Sequence, residues 1–232
     1  MRFFLSSVGL AVSILLLGCA QRSFQGQVLA PAALAAHRTV AILPFAVELE
    51  RLRDGVTYSG EWPNRAYNPL ASAPGSQLQA ERRQMGYQLQ AALQAGLMQR
   101  QVAQPTAITF QNPADTNQRL ARAGISYESL ATCPMAELRV ALGVDAIIRG
   151  ETDMRQLLPG GVSIAVYLLS NNAVNPMADN TVRTYLDIYD TQTSQLAWHF
   201  RHELRGKPST SAAALANDLL RHVQGSFPYF RP

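Results

Sequence analysis

The chain has 232 residues and a formal net charge of +4, and 47% of its residues are hydrophobic, which is ordinary for a globular protein. Arginine supplies nearly all of the positive charge, because Lys207 is the only lysine. The arginines stand singly among acidic residues, and the pair Arg82 and Arg83 is their longest cluster. A charge spread in this way argues against a nucleic-acid partner.

Residues 1–18 have the build of a secretory signal peptide. Arg2 precedes the apolar run 3–17, which small residues interrupt. A helix that crosses the bilayer needs about 20 apolar residues, so this run is too short for a typical transmembrane helix. We therefore expect an exported protein rather than an embedded one.

The leader ends in Leu16-Leu17-Gly18-Cys19. This sequence resembles the lipobox of bacterial lipoproteins and departs from it at Leu17, where the family more often has a small or β-branched residue. The resemblance implies that the leader is removed and that Cys19 is acylated, with palmitate among its chains. Each buried CH₂ contributes about 0.8 kcal/mol, so several chains hold a protein firmly on a membrane. The alternative is a secreted protein with a chance cysteine at its cleavage site.

The residue after the cysteine is Ala20. In lipoproteins, an aspartate there would retain the protein at the inner membrane. The resemblance therefore implies that the anchor lies in the outer membrane of the cell envelope and that the domain lies on the periplasmic side.

Composition divides the mature chain into two parts. Residues 19–37 are rich in Ala, Gln and Gly and lack a sustained period, which predicts a flexible tether. Residues 38–232 are predicted to form a single α/β domain. The only other cysteine is Cys133, which we expect to be a small buried residue.

The domain begins with the apolar run Thr39 to Val47, which predicts a strand buried on both faces, with Pro44 at its end or beside an edge. Residues 51–76 then read as a long loop rich in Gly and Pro. This loop carries three aromatic residues, which would pack either on its own domain or on a partner: Tyr58, Trp62 and Tyr67.

Helices and strands alternate over the central part. A leucine stripe predicts a helix over 77–100 with Ser76 as its N-cap, and 107–110 reads as a short strand. Two further helices, 115–123 and 134–142, end at glycines. The strand 144–151 follows the second of them at once, which favours parallel pairing at the centre of a sheet.

The last third changes to period-two alternation. Residues 162–168, 182–189 and 196–200 are predicted to be antiparallel strands with one apolar face, and 170–180 is predicted to be an exposed loop. A final helix from about Ser209 carries a leucine stripe that belongs in the core. The predicted fold class is α/β (α+β): a single mixed sheet with a parallel centre and an antiparallel C-terminal hairpin, packed by amphipathic helices.

Three sequence segments resemble one family of domains: VAILPF, LGVDAIIRGE and VRTYLDIYDTQTSQLAWHF. They look like the α/β domain of envelope lipoproteins of the curli-secretion (CsgG-like) type and of the LpoB-like activators of peptidoglycan synthases. The resemblance covers most of residues 39–226, and Ser194 replaces the glycine of the family's Asp-x-x-Thr-Gly turn. It implies a fold more than a function.

No nucleophile elbow, phosphate-binding loop or dinucleotide fingerprint occurs in the chain. His199, His202 and Glu203 suggest a metal site at first sight, but the two histidines would lie on opposite faces of a strand, and a solvated strand edge is favoured. Three acidic residues near one strand are likewise expected to be solvated rather than catalytic: Asp145, Glu151 and Asp153. The sequence predicts no catalytic residue, metal or cofactor.

Two classes of function remain. The first is a noncatalytic accessory lipoprotein that binds another envelope protein or associates with itself. No pair of membrane-crossing strands is apparent, which argues against a pore. The second is a lipid-anchored hydrolase or small-molecule binder without a recognisable motif. A deep pocket lined by Asp145, Glu151 or His199 would favour the second class, and a shallow aromatic surface around Trp62 would favour the first.

Overall fold

A computed structural model describes residues 21–53, 56–58, 74–156, 180–206, 211–223 and 225–230. Within these ranges the strands are β1 (Gln21–Val28), β2 (Thr39–Ile42), β3 (Ala46–Arg53), β4 (Val56–Tyr58), β5 (Thr109–Phe110), β6 (Ala146–Gln156), β7 (Asn180–Asp190) and β8 (Leu196–Gly206). The helices are α1 (Pro31–Ala36), α2 (Pro74–Ala103), α3 (Pro113–Arg122), α4 (Tyr127–Leu130), α5 (Met135–Leu142) and α6 (Ala212–Val223), followed by a 3₁₀ turn (Pro228–Phe230).

All eight described strands belong to one mixed sheet, in which six have the order β1-β8-β7-β6-β2-β5. The other two lie off this path, because β3 pairs with β6 and β4 pairs with β3. Strand β6 pairs in parallel with β2 and β3, and β2 pairs in parallel with β5. The pairs β6–β7, β7–β8 and β8–β1 are antiparallel. The predicted fold class, a mixed sheet with a parallel centre and an antiparallel C-terminal hairpin, is confirmed.

The predicted flexible tether is wrong for most of its length. Residues 21–28 form β1, which pairs along its whole length with β8, and 31–36 form α1. Strand pairing satisfies backbone N–H and C=O groups whatever the side chains are, so a polar sequence without a period can still form an edge strand. Residues 21–37 therefore belong to the folded domain rather than to a tether that precedes it.

The run predicted as one strand is divided at Pro44. Strands β2 and β3 follow one another along the same edge of β6, and the amide of Leu43 still donates to the Ile148 carbonyl at 2.9 Å. The amide of Phe45 donates instead to Gly86 on α2, at 3.1 Å. Pro44 has no N–H to donate to a neighbouring strand, so interrupting the strand at this residue sacrifices no hydrogen bond from its own amide.

The two faces of the sheet pack on different helices. Helices α2 and α6 cover one face with the predicted stripes, which include the fully buried Leu93, Leu97 and Leu219. On the other face, α3, α4 and α5 pack around Ile147 and Leu43 and cover part of the sheet. The buried leucines of α6 make this helix part of the core, as predicted. Burying each such side chain stabilises the fold by about 1.5–3 kcal/mol.

Helix boundaries differ from the prediction in detail. Helix α2 begins at Pro74, so Ser76 lies inside it and is not the N-cap, because a proline is favourable in a first helical turn. Asn112 caps α3 by accepting a hydrogen bond from the Ala114 amide at 2.8 Å. Gly143 ends α5 with a φ of 63°, as its position predicted.

Several predicted elements fall on residues outside the described ranges: residues 1–20, the strand 162–168, most of the loop 170–180 and the start of the last helix near 209. No helix within the described ranges is long and apolar enough to cross a bilayer.

Candidate binding surface

The face of the sheet that lies opposite α2 and α6 carries a patch of charged and aromatic side chains, which we name the open sheet face. Strand alternation separates its residues from the buried Thr152, Leu186 and Phe200 on the opposite face. The side chains of Arg155, Arg201 and Arg205 are about half exposed, at 49–54%. Its members are Arg149, Glu151, Asp153, Arg155, Arg183, Tyr185, Asp187, Tyr189, His199, Arg201, Glu203 and Arg205.

Glu203 lies at the centre of three arginines. Its carboxylate oxygens are 2.6 Å from Arg205 Nε, 3.0 Å from Arg201 Nη2 and 3.5 Å from Arg183 Nε. Burial raises the pKa of Glu203, but the hydrogen bonds and charges of the arginines outweigh burial and hold the pKa below its ordinary value. The carboxylate is therefore ionised and occupied by structural contacts.

The aromatic side chains of this face stack on its cations. Arg149 lies 5.7 Å from the centre of the Tyr189 ring, and Arg201 lies 5.9 Å from that of Tyr185. His199 faces Tyr185 at 6.1 Å between ring centres, and its Nδ1 is 2.6 Å from Asp187. The sequence did not single out either tyrosine, although their alternation with buried residues places them opposite the core.

The predicted solvated strand edge at His199, His202 and Glu203 is wrong. Strand β8 lies between β1 and β7 and is not an edge. His202 is 2% exposed and Glu203 is 5% exposed. The two histidines do lie on opposite faces, as their odd spacing predicted.

The three carboxylates near β6 do not form one site. Asp145 precedes the strand and is separated from Glu151 by about 20 Å of extended chain. Two carboxylates that act as a hydrolytic pair lie within about 9.5 Å of each other. Asp153 is on the same face as Glu151 but points to Arg183, at 3.9 Å.

Asp145 instead holds the start of β2. Its Oδ2 accepts hydrogen bonds from the amides of Arg38 and Thr39, at 2.9 and 2.8 Å, and from the Thr39 hydroxyl at 3.0 Å. Burial raises the pKa of Asp145, but these hydrogen bonds outweigh it and keep the pKa below the ordinary value. This is a structural carboxylate.

His37, Asp190 and Tyr229 form a buried triplet that the sequence did not reveal. His37 Nδ1 is 2.8 Å from the Tyr229 hydroxyl, and its Nε2 is 3.1 Å from Asp190 Oδ2. Asp190 Oδ1 also accepts from the amide and the hydroxyl of Thr193, both at 2.6 Å. Burial raises the pKa of Tyr229 well above its ordinary value, so its hydroxyl stays protonated and does not serve as a nucleophile.

A cleft of about 310 Å³ lies beside Pro44, where the open sheet face meets α4. Tyr127 is one of its lining residues, and its hydroxyl donates to the Phe45 carbonyl at 2.8 Å and accepts from the Val47 amide at 3.2 Å. Arg82 forms an ion pair with Glu48 at its rim. Within the described chain, the buried Nε atoms of Arg82 and Arg149 have no hydrogen-bond partner.

The cysteine of the domain, Cys133, is half-buried rather than fully buried, because it lies just before α5 at the surface. Burial and the nearby Glu137 carboxylate, 3.7 Å from the sulfur, raise the pKa of its thiol. The thiol therefore stays protonated near neutral pH.

The residues predicted for lipidation and partner binding are only partly within the described ranges. Tyr58 lies in β4, where it pairs with Arg51 of β3, so the beginning of the predicted loop is a hairpin. Cys19, Trp62 and Tyr67 lie outside the described residues.

No protein-family model matches the chain, and no curated protein matches its sequence. Among solved structures, it is similar to a PelC dodecamer from Paraburkholderia phytofirmans in two crystal forms, the first of a point variant. The first has 12% identity and a TM-score of 0.38 and covers 91% of this chain and 99% of that chain. The second has 10% identity and a TM-score of 0.35 and covers 91% of this chain and 100% of that chain. It is also similar to the lipoprotein GNA1162 from Neisseria meningitidis, at 11% identity and a TM-score of 0.42, over 82% of this chain and 96% of that one. Likeness at this level supports no conclusion about function, and the resemblance to the CsgG-like and LpoB-like domains stays a prediction.

Proposed function

We propose that the chain is a lipoprotein of the bacterial outer membrane whose domain, on the periplasmic side, acts as a noncatalytic binding or assembly accessory. The anchor would be the acylated Cys19 that follows the lipobox-like Leu16-Leu17-Gly18. The noncatalytic role is supported by one observation: carboxylates that could take part in catalysis are already bound by other groups of the fold. Asp145, Asp190 and Glu203 are each held by hydrogen bonds or ion pairs within the fold.

The position of β1 would keep this domain close to the membrane. Strand β1 begins two residues after Cys19, at Gln21, and two extended residues span about 7 Å. Three large apolar side chains are exposed on and just after this strand, with Phe24 57%, Val28 36% and Leu29 44% exposed. A domain held this near a bilayer would place β1 beside the lipid surface.

The open sheet face is the surface that we assign to the partner. Tyrosine and arginine are the residue types that dominate binding energy at protein interfaces, and this face pairs Tyr185 with Arg201 and Tyr189 with Arg149. Its acidic and basic groups alternate, so a partner with the complementary pattern would be selected over one with a single sign of charge. The expected partner is another envelope protein or a second copy of this chain.

A second candidate is a small-molecule binder. The cleft beside Pro44 has a volume at the lower end of the range for ligand pockets, and Glu151 is among its lining residues. The unpartnered nitrogens of Arg82 and Arg149 would suit an anionic group of a ligand. Binding in the cleft would be blocked by Arg82→Gln but not by Arg201→Ala on the open sheet face.

Affinity capture with crosslinking from envelope extracts tests the first proposal. Arg201→Ala removes an exposed contact, whereas Glu203 keeps Arg205 and Arg183, so the fold is preserved. We expect this variant to lose the partner that the wild type captures, and Arg139→Ala, on α5, to keep it. Equal capture by both variants would contradict the assignment of the open sheet face.

A further inference from the structure

Three potential metal ligands meet where α6 packs on β8, on the sheet face opposite the open sheet face. They are His202 on β8 and Asp218 and His222 on α6, and one ligand atom of each lies within 4.8 Å of the others. His202 is 2% exposed and Asp218 is 5% exposed. Asp218 and His222 are four residues apart, so they share one face of the helix.

Two atoms of this cluster lack a hydrogen bond although they are buried. His202 Nε2 and Asp218 Oδ2 are 3.2 Å apart, but neither has a hydrogen-bond partner among the described residues. Burying a polar atom without a partner costs about 1–3 kcal/mol. A tetrahedral zinc ion, with bonds of about 2.0–2.1 Å, holds its ligand atoms about 3.3 Å apart. The separation of 3.2 Å between His202 Nε2 and Asp218 Oδ2 therefore fits two ligands of one ion.

The surrounding contacts occupy the other carboxylate oxygen of Asp218, so Oδ2 stays available for a metal ion, and they hold the ligand side chains in place. Asp218 Oδ1 is occupied by Arg221 Nη2 at 2.7 Å and by Arg22 Nε at 3.4 Å. His222 donates from Nδ1 to the Asp218 carbonyl at 2.7 Å, so Nε2 would be its ligand atom for a metal; its ring lies 5.1 Å from that of Phe24. Supporting contacts of this kind orient metal ligands. The two guanidinium groups repel a cation, so we expect weaker binding than at a structural zinc site.

We propose that His202, Asp218 and His222 bind a zinc ion. Two imidazole nitrogens and one carboxylate oxygen are a ligand set that zinc accepts, and a fourth position would be left for water or another ligand. The ion would join α6 to β8 close to Arg22 and Phe24 of β1. This site is independent of the proposed partner surface, which lies on the other face of the sheet.

Isothermal titration of the full chain with zinc chloride tests the site. The protein is purified without a histidine tag and treated with a chelator that is then removed. We expect one zinc ion per chain, a higher melting temperature with zinc, and a Co²⁺ derivative with tetrahedral d–d absorption. His222→Gln, which changes a partly exposed side chain, and Asp218→Asn should each weaken zinc binding at least tenfold, which is about 1.4 kcal/mol.

Two variants serve as controls. His199→Gln changes a histidine on the other face of the same strand, and Cys133→Ser removes the thiol of the domain; both should bind zinc as the wild type does. The proposal is wrong if the wild type shows no saturable zinc binding or if binding survives in both His222→Gln and Asp218→Asn. It is equally wrong if either control variant loses binding to the same extent.

Discussion

His37 and Tyr229 lie 192 positions apart in the sequence, yet His37 Nδ1 is 2.8 Å from the Tyr229 hydroxyl. This hydrogen bond joins the residue that follows α1 to the 3₁₀ turn near the carboxyl terminus. On its other side the imidazole meets Asp190 at the end of β7, at 3.1 Å. The triplet closes one end of the sheet around a buried histidine.

Tyr229→Phe removes the hydroxyl and leaves His37 Nδ1 buried without its partner. We expect the free energy of unfolding to fall by about 1–3 kcal/mol, measured by urea denaturation. Tyr87→Phe, at a tyrosine on α2 that is 37% exposed, is the control and should change stability little. An equal loss in both variants would show that the triplet does not stabilise the fold.

Gly150 leaves room for the Phe45 ring at the break between β2 and β3. A Cβ at this position would lie 2.5 Å from ring atoms of Phe45, so Gly150→Ala forces the ring or the strand to move. We expect a loss of about 1–3 kcal/mol from overpacking, seen as a lower melting temperature. Gly225→Ala is the matched control because, among the described residues other than its chain neighbours, no atom lies within 4 Å of its added Cβ.

The elements that the sequence predicted are those with strong periodicity. The leucine stripes of α2 and α6 and the alternation along β7 follow directly from burial on one side. Strand β1 was not predicted, because its residues 22–28 are exposed and show no buried face. Its stability comes from backbone pairing with β8. The break at Pro44 could be anticipated in part, since a proline cannot donate within a ladder.

The candidate sites depended on contacts between distant segments, and these are not visible in a single sequence. His202 shares the inward side of β8 with Trp198 and Phe200, and Asp218 and His222 have helical spacing. These two signals were present, but only the packing of α6 on β8 brings the three residues together. Glu203 was expected in solvent because nothing in the sequence shows that β1 covers the edge of β8.

Acid should weaken the fold through His202. Burial lowers the pKa of His202 to about 4, from an ordinary value of 6.5. Between these values the unfolded chain binds a proton that the folded chain does not, so the free energy of unfolding falls as the pH is lowered from 6.5 to 4. The expected loss is on the order of 2 kcal/mol.

Urea midpoints at pH 7.5, 6 and 5, taken in the presence of a chelator, check this dependence. In His202→Gln the fall in the urea midpoint between pH 7.5 and 5 should become smaller, since glutamine does not titrate. An unchanged fall in this variant would assign the acid sensitivity to other groups.

Trp62→Ala should weaken the capture of an envelope partner while leaving the melting temperature nearly unchanged. The prediction comes from the sequence, in which Trp62 stands between Tyr58 and Tyr67 in a segment rich in Gly and Pro. Capture and thermal unfolding are measured on the same preparation. A large drop in melting temperature would mean that Trp62 belongs to the core.

The central claim is the lipid anchor, and intact-mass spectrometry of the protein extracted from membranes tests it most directly. The account predicts a chain that begins at Cys19 and carries the added mass of acyl chains, and a Cys19→Ser variant that lacks this mass and keeps its leader. An unmodified cysteine in the mature wild-type protein, or a wild-type pool that retains residues 1–18 in the cytosol, would contradict it.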